Sequence, residues 1–537
     1  MKKETNNDTT LKNLRADIPT GRIVLFFIFA AAIWWVAAVA SPLYILDETR
    51  NAQAAREMMK RHDSIVPTFN NELRPDKPPL HYYFMQGAYR IFGVNAWAAR
   101  FFSVVMGLLT LLSTWFFAKR FINKTVAFWA VVLLTSSTHF LFEFQLSVPD
   151  PYLIFFTTAG LFTIYAYIKE NHFYWLVLAG ISFGLAILAK GPVALAVPGL
   201  AVLSWLVFEK NWRKIFSWKW IIFFAIIAAV TLPWFIAVHH ETNGDFTRKF
   251  FLEHNINRFS KPIEGHGGFF LLIPLYVIAG LLPFSGLSVA FSKKIQAPDP
   301  VSFLQFCISV TLVFIVFFSI SGTKLPNYPM PCYPFIALLM AFWIQQRING
   351  GNKLKSYPYW ILIVLNILFL AGSLFALLYE PATKRFAAWS CVFIIPLAAS
   401  CLALYYHKIK GFGKSLFILV IGYMFFNATI LIVAYPSIYK NNPEIKTRHL
   451  VKDHEPVFAY KSYNPAFNFY LEKNLIILDS EEKVRKLLQS HSNFRIITRE
   501  ELLPELKHLP LKTLAKERDL FEIPVTVILG PSGFDPQ

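Results

Sequence analysis

Residues 23–50 read IVLFFIFAAAIWWVAAVASPLYILDETR, an apolar run that ends in two acids and an arginine. About 20 apolar residues in a helix cross the hydrocarbon core of a bilayer, which is roughly 30 Å thick. A charged side chain that faces lipid costs roughly 2.5 kcal/mol or more, and such residues mark reaction or transport paths. The stretch therefore predicts a retained membrane-spanning helix followed by a functional loop that begins at Asp47.

The composition of the whole chain predicts a polytopic α-helical membrane protein. Of its 537 residues, 55% are apolar, 17% are aromatic and only 16% are charged, which is far from the balance of a water-soluble domain. Backbone groups in lipid must be satisfied within their own segment, so each apolar run is expected to be helical. About thirteen such runs occur, at 23–41, 97–118, 126–143, 151–168, 173–189, 193–208, 220–238, 269–291, 301–320, 331–346, 359–379, 386–406 and 415–435.

The net charge of +19 is sorted by loop, which argues against a nucleic-acid partner. If the amino terminus is cytoplasmic, alternate loops carry the basic residues Lys119, Arg120, Lys124, Lys210, Arg213, Lys214, Lys219, Lys293, Lys294, Arg347, Lys353, Lys355, Lys408, Lys410 and Lys414. Short cytoplasmic loops of membrane proteins carry such an excess of Lys and Arg. The pattern predicts a cytoplasmic amino terminus, with the loop of Asp47 and the carboxyl-terminal tail on the outer side.

Two domains are expected, a transmembrane domain over 1–438 and a soluble outer-face α/β domain over 439–537. The long outer loop at 42–96 predicts short amphipathic helices on the membrane surface, at Ala52–Met59 and Leu80–Phe92. A second long outer loop, 239–268, predicts a helix followed by a flexible turn. The tail predicts alternating strands and helices.

Four cysteines fall in or beside apolar runs without metal-ligand spacing. We interpret Cys307, Cys332, Cys391 and Cys401 as free, buried packing residues.

Isolated cations in outer loops are not explained by topology. Lys190 and Lys324 each stand alone in a short outer turn, and Lys77 lies between an acid and two prolines. Together with Arg50 and Arg258, they predict a cationic cluster suited to a phosphate or pyrophosphate headgroup. The alternative is that each cation extends separately to the headgroups of ordinary lipids.

Two carboxylates at neighbouring helix ends predict a reacting centre on the outer side. Asp47 follows the first span, and Asp150 occupies the next short outer turn before Pro151. One carboxylate could act as a general base while the other orients it, holds a sugar hydroxyl or helps bind a metal. Helix capping is the alternative for both acids, and Glu48 is more ambiguous still.

Spaced motifs in residues 20–345 carry a family resemblance. They are Asp47-Glu48-Thr49-Arg50, Asp76-Lys77-Pro78, Val148-Pro149-Asp150-Pro151, Ala189-Lys190-Gly191, Glu253-His254 with Arg258-Phe259, and Lys324-Leu325-Pro326-Asn327-Tyr328. The chain resembles the bacterial branch of the dolichyl-phosphate-mannose protein mannosyltransferase superfamily, and among its members the aminoarabinose transferases that modify lipid A. The resemblance implies a GT-C fold with thirteen spans and an outer soluble domain.

The resemblance also implies an activity and a set of roles. The enzyme would transfer a sugar, by inverting single displacement, from a polyprenyl-phosphate carrier on the outer face of the bacterial inner membrane. Asp47 would be the acid at the reacting centre. The other implied site residues are Lys77, Arg258, Lys324 and Tyr328 for the carrier phosphate, Arg50, Asp150 and Lys190 in support, and Glu48, Asp76, Glu253 and His254 as further candidates. Asp76 departs from the family, which usually has Glu there.

The acceptor and the sugar stay open at this stage. A lipid such as lipid A and a secreted protein both fit as acceptors, and a transporter or flippase of lipid-linked sugars and a non-catalytic lipid-binding scaffold are the rival classes. A transporter would be expected to show charged or broken spans near the bilayer midplane. The sequence identifies no cofactor. Carboxylates are available for a divalent metal, although no ligand spacing demands one.

Overall fold

The computed structural model describes residues 19–43, 46–257, 267–288, 301–350, 355–452, 455–520 and 523–532. Within these ranges, nine helices are long and apolar enough to cross a membrane. They are Ile23–Ala40, Ala96–Phe121, Asp150–Glu170, Phe173–Lys190, Lys219–Glu241, Val301–Ile320, Tyr357–Tyr379, Lys384–Lys410 and Phe412–Tyr439. The prediction of a multi-pass α-helical membrane protein is confirmed.

The remaining apolar runs also contain helices, at Lys124–Ser136, Val193–Phe208, Leu272–Gly280, Phe284–Ser288 and Tyr333–Gly350. The run at 126–143 was expected to be one span, but it is two helices. Asn123 caps the first by accepting from the Val126 amide, and Ser137 caps the second, Thr138–Glu143, by accepting from the Phe140 amide. Asn and Ser are strong N-caps, so the chain restarts a helix at Ser137.

Small residues let the central helices approach closely. Cβ atoms added at Gly180 and Gly184 would lie 2.9 Å from Ile226 and 2.8 Å from Val230 of the helix Lys219–Glu241. These two glycines are four residues apart, so they lie on one face of their helix. Glycine at such positions permits the close backbone contact that holds helices together in lipid.

The charges of the bundle gather at its two ends. At one end Arg120 pairs with Glu170 at 2.6 Å, and Lys169 pairs with Glu209 at 3.0 Å. This is the end to which the sequence assigned most of the basic loops. The opposite end is formed by residues 46–95, 143–150, 190–193 and 321–330, and we call it the site face.

The first long loop folds as two helices and a hairpin. The helices are Leu46–Arg61 and Leu80–Phe92, and the hairpin pairs β1 (Thr68–Phe69) with β2 (Glu72–Leu73). Its tip residues Asn70 and Asn71 have φ of 54° and 67°, which is the left-handed conformation that two-residue hairpin turns require. In the helix Leu46–Arg61, residues 51–58 are all buried, so protein surrounds this part of the helix.

The predicted C-terminal α/β domain is present as a five-stranded sheet. Its strands are β3 (Val457–Tyr460), β4 (Ile476–Leu478), β5 (Arg495–Arg499), β6 (Leu511–Arg518) and β7 (Val525–Pro531), in the order β4-β3-β5-β7-β6. Strands β3, β4 and β5 are parallel, whereas β7 and β6 extend the sheet antiparallel. Short helices at Ala466–Tyr470 and Glu481–Ser490 follow β3 and β4. The sequence predicted β3, β4 and β5 and missed the more exposed, polar β6 and its partner β7.

The cysteine prediction holds for two of the four residues. Cys307 and Cys332 are free and buried, but Cys391 and Cys401 are free and exposed. The latter two lie on outward faces of peripheral helices, which an apolar sequence pattern does not distinguish from inward ones.

Candidate functional site

Arg74 lies at the centre of a buried polar group on the site face. Its backbone amide donates to the Pro67 carbonyl at 2.9 Å, just beyond the hairpin, and fixes where the side chain starts. The guanidinium donates to Asn51 Oδ1 at 3.1 Å and to the Tyr82 hydroxyl at 3.2 Å. It lies 3.4 Å from Asp76 Oδ2 and 4.0 Å from Asp47 Oδ1. The guanidinium of Arg74 thus lies next to both candidate acids of this loop.

The two acids differ in how open they are. The Asp47 side chain is 57% exposed and the Asp76 side chain 31%, whereas that of Arg74 is 6% exposed. A half-exposed carboxylate beside a buried guanidinium can meet a ligand without losing its partner. Asp47 is therefore the acid of this group that is most open to solvent.

The surroundings of Arg74 set which side chains are charged. Burial works against the charge of Arg74, but Tyr82, Asp76 and Asp47 outweigh it and leave its pKa raised. Burial raises the pKa of Tyr82 to about 12. Burial, followed by the charges of Arg74 and Lys77, holds the pKa of His81 well below its ordinary value. At neutral pH the positive charge here is therefore carried by Arg74 and half-buried Lys77, beside a neutral imidazole.

Asp76 joins the two long loops. Its Oδ1 lies 3.3 Å from His254 Nε2, and His254 belongs to a π-helical segment, Lys249–Asn257, that follows a short helix at Asp245–Arg248. Glu253, the other candidate on this segment, is exposed. Arg258, which was expected to bind the carrier phosphate, lies outside the described residues.

Asp150, Lys190 and Tyr328 meet although each comes from a different turn. Lys190 Nζ lies 2.5 Å from Asp150 Oδ1 and 5.1 Å from the centre of the Tyr328 ring. Lys190 is the last residue of its helix, which ends at Gly191 with φ of 92°, a conformation that favours glycine. Asp150 is the first helical residue after Pro149 rather than a cap, and its carboxylate pairs with the lysine instead.

Lys324 lies on the same turn as Tyr328 but is more deeply buried. Its side chain is 7% exposed, and its ammonium donates to the Ser321 carbonyl at 2.7 Å. A lysine keeps three donors, so this contact leaves two for other partners. A Cβ added at Gly268 would lie 3.6 Å from Lys324 Cδ, which places the end of the second long loop beside this turn.

The two groups of side chains are joined through the segment before Asp150. Asn51 Nδ2 donates to the Ser147 carbonyl at 3.4 Å, and the Ser147 backbone amide donates to Glu48 Oε1 at 2.9 Å. Asn51 also holds Arg74. The segments that carry Asp47, Arg74 and Asp150 are therefore parts of one hydrogen-bonded site face.

Glu48 is enclosed by protein, in contrast to its neighbour Asp47. It was a candidate for binding substrate, but its side chain is fully buried and receives Arg100 Nε and Nη2, each at 2.8 Å. Arg100 also donates to the Ser41 carbonyl at 2.7 Å. A bidentate, buried pair with these further bonds fixes the end of the first span to the spanning helix Ala96–Phe121, which carries Arg100. Glu48 is a structural residue of the site face.

Arg50 lies within electrostatic range of the C-terminal domain. Burial raises the pKa of Tyr463 to about 12, and the charge of Arg50 is among those that oppose the rise. Arg50 thus lies close to Tyr463, whereas no contact in the described ranges places it with Lys190 or Lys324.

Several residues of the site face were missed by the sequence analysis. Arg74 stands directly before Pro75 and two residues before Asp76, so its place beside the Asp76-Lys77 motif was the available signal. Glu143 is 4% exposed, and its Oε1 has no hydrogen-bond partner in the described part of the chain. Glu143 lies within electrostatic range of Asp150 and Lys190. A glutamate in an otherwise apolar run was the signal for it.

Metal ligands are sparse among these residues. No group of three or more His, Cys, Asp or Glu side chains that could hold a metal occurs within the ranges that the structure describes. Asp47 and Asp76 lie beside the Arg74 guanidinium, and Asp150 is paired with the Lys190 ammonium.

The fold and the site together define a multi-pass membrane protein with a charged site at one end of its bundle, capped by a small α/β domain. Cations placed next to carboxylates can hold a phosphate while an acid acts on a neighbouring atom. Comparison with known proteins defines the class further.

The family model for dolichyl-phosphate-mannose-protein mannosyltransferases matches residues 21–243. The undecaprenyl phosphate-alpha-4-amino-4-deoxy-L-arabinose arabinosyl transferase of Pseudomonas aeruginosa (strain UCBPP-PA14) is 32% identical over 324 residues, which are 58% of this chain and 57% of that protein. The transferase of the same name from Serratia proteamaculans (strain 568) is 30% identical over 365 residues, 64% of this chain and 62% of that protein. The matches thus span about six-tenths of the length of these curated relatives.

The fold matches along nearly the whole chain. The crystal structure of ArnT from Cupriavidus metallidurans bound to undecaprenyl phosphate superposes with a TM-score of 0.82 at 21% identity, covering 97% of this chain and 100% of that one. Its apo structure gives a TM-score of 0.80 at 20% identity, with 96% and 99% covered. The chain therefore shares the fold of these two structures, and the similarity recognised from its motifs is found in sequence as well as in fold.

Proposed function

We propose that this protein is a glycosyltransferase that takes a sugar from a polyprenyl-phosphate carrier and transfers it to an acceptor on the outer face of the bacterial inner membrane. The observation that carries the proposal is the meeting of Asp47 with Arg74, on a face that also holds the Lys190–Asp150 pair. Similarity to the arabinosyl transferases supports the donor class. In this orientation the site face and the C-terminal domain, about residues 439–537, lie outside the cytoplasm, and the domain of 1–438 carries the reaction.

The chemistry of the site fits displacement of a lipid phosphate from the anomeric carbon of a sugar. The departing phosphate oxygens gain negative charge, which fixed cations stabilise. Lys77, Lys190 and Lys324 are the lysines proposed for that role, with Tyr328 beside Lys190. The sugar ring gains positive character, which the open carboxylate of Asp47 can stabilise.

The acceptor determines what else Asp47 does. A hydroxyl acceptor loses a proton as it attacks, and Asp47 would then be the general base. A phosphate acceptor needs no base, and Asp47 would orient it and balance charge. The relatives' names favour aminoarabinose as the sugar, and the resemblance of the motifs to transferases that modify lipid A favours a lipid A-like acceptor over a protein.

An Asp47→Asn variant tests the proposal because it removes the charge and keeps the shape of the side chain. We expect sugar transfer from polyprenyl-phosphate donors to fall by about 10²-fold or more, the lower end for a general base, in protein that elutes as folded. Asp479→Asn, at an exposed site on the C-terminal domain, is the matched control and should transfer normally. Wild-type turnover by Asp47→Asn would remove Asp47 from the reaction.

Mass spectrometry of envelope lipids and secreted glycoproteins from a deletion strain names the donor and the acceptor. Loss of one sugar from one class of molecule is the expected result. A transport defect in which every glycan is retained would contradict a transferase and favour a flippase.

A further inference from the structure

The C-terminal domain makes hydrogen bonds to the tip of the hairpin β1–β2, which directly precedes Arg74. Asn70 Oδ1 accepts from the Leu475 amide at 2.7 Å and from Asn468 Nδ2 at 2.9 Å, and Asn70 Nδ2 donates to the Leu475 carbonyl at 3.0 Å. Asn474 Nδ2 donates to Asn71 Oδ1 at 2.7 Å. One side chain thus makes three bonds across an interface between segments about 400 positions apart in the chain.

An apolar anchor accompanies these bonds. Phe469 of the C-terminal domain is 5% exposed and packs in one cluster with Ala55 and Met58 of the helix Leu46–Arg61. The Arg56 guanidinium lies 4.6 Å from the centre of its ring and donates to its carbonyl at 2.9 Å. Buried aromatic area of this kind dominates the stability of an interface, so the domain is seated firmly on the helix that begins beside Asp47.

The helix Leu46–Arg61 also binds the hairpin. Glu57, on the same helix, accepts from the Asn70 amide at 2.8 Å and from Thr68 Oγ1 at 2.7 Å. The hairpin ends at Leu73, and the next residue is Arg74. A displacement of Asn70 would therefore also displace Arg74, whose guanidinium lies beside Asp47 and Asp76.

We propose that Asn70 is a positioning residue through which the C-terminal domain fixes the hairpin, and with it the places of Arg74 and Lys77 relative to Asp47. These contacts assign the C-terminal domain the role of a brace for the first long loop. Misplacement of a catalytic group by about 1 Å can cost about 10²-fold in rate. The consequence for turnover rests on the proposed function, whereas the consequence for the hairpin does not.

Asn70→Gly is the variant of choice. The backbone at Asn70 has φ of 54°, which glycine adopts freely and alanine does not, so the variant removes the three side-chain bonds without straining the turn. Asn171→Gly is the matched control. Asn171 also has a positive φ, of 58°, but it ends a helix at the other end of the bundle, where it accepts from Lys219 at 3.1 Å.

Hydrogen–deuterium exchange of the full-length protein in detergent tests the hairpin directly. In Asn70→Gly we expect the amides of 68–77 to exchange about tenfold faster or more, since local opening is governed by local contacts. The spanning helices and the thermal midpoint should stay as in the wild type. Asn171→Gly should leave exchange at 68–77 unchanged. Unchanged exchange in Asn70→Gly would overturn the proposal.

Turnover tests the link to the site. With a polyprenyl-phosphate sugar as the donor, kcat/KM per folded molecule should fall about tenfold or more in Asn70→Gly. Asn468→Ala should cause a smaller fall, and the double variant should add little to Asn70→Gly because both residues share one contact. Faster exchange with unchanged kcat/KM would overturn positioning. Absence of transfer by the wild type would refute the proposed function alone, and the exchange results would still decide the role of Asn70.

Discussion

Lys190 Nζ lies 2.5 Å from Asp150 Oδ1, so an ammonium at the end of one helix meets a carboxylate at the start of another. Both side chains are largely buried, at 16% and 8% exposure. Removal of one member of a buried pair leaves the other uncompensated, which costs about 3–5 kcal/mol. The pair is therefore expected to matter for the fold as well as for binding.

Exchanging the two residues separates these effects. Asp150→Asn and Lys190→Ala should each lower both the thermal midpoint and the rate of sugar transfer. The double variant Asp150→Lys/Lys190→Asp should regain part of the thermal midpoint. It should not regain sugar transfer, because the cation is then at the start of the other helix. Thermal scans and turnover in detergent measure both. Lys169→Ala, which breaks a comparable pair with Glu209 at the other end, should transfer normally. Full turnover by the exchanged double variant would contradict a specific role for Lys190.

The Glu48–Arg100 pair is predicted to act on stability alone. Glu48→Gln and Arg100→Met should each lower the free energy of unfolding by about 3–5 kcal/mol, and the apolar double variant Glu48→Leu/Arg100→Leu by less than their sum. Denaturant titration in detergent measures the loss. Transfer per folded molecule should be unchanged in every variant. A selective loss of transfer by well-folded Glu48→Gln would return Glu48 to the substrate site.

Lys77 is predicted to bind the carrier phosphate. A hydrogen bond to a charged group is worth about 1.5–3 kcal/mol, so Lys77→Ala should raise the KM for the polyprenyl-phosphate sugar by about tenfold or more and reduce the salt dependence of binding. Donor saturation curves at two ionic strengths measure both effects. Lys60→Ala, at an exposed position on the helix Leu46–Arg61, is the control. An unchanged saturation curve for Lys77→Ala would refute phosphate binding by Lys77.

His81 is predicted to make stability fall in acid. Its pKa is held well below the ordinary value by burial, then by Arg74 and Lys77. The unfolded chain gains a proton at this residue below about pH 6.5 and the folded chain does not, so the free energy of unfolding falls by about 1.4 kcal/mol per pH unit until the folded pKa is reached. In His81→Phe, this contribution to the fall of the free energy of unfolding with decreasing pH should be absent. Equal pH slopes in the wild type and in His81→Phe between about pH 6.5 and pH 5 would contradict the prediction.

The sequence by itself determined the class of protein and the segments that carry function. Apolar runs long enough to cross a bilayer fixed the helices, because backbone groups in lipid have no other way to be satisfied. The motifs around Asp47, Lys77, Asp150, Lys190 and Tyr328 gave the segments of the candidate site. Three strands of the C-terminal domain were equally readable, since buried strands are continuous apolar runs.

Only the tertiary structure decided which of these charges face each other. Glu48 and Asp47 are adjacent in sequence, yet one is enclosed by Arg100 and the other lies open beside Arg74. Consecutive residues of a helix point about 100° apart, so Asp47 and Glu48 face different parts of the fold. The partners that distant segments supply on each side, and not the local sequence pattern, therefore determine their surroundings. Asn70 likewise looks like an ordinary turn residue in the sequence. Its bonds to Asn468 and Leu475 exist only because the fold brings together segments about 400 positions apart.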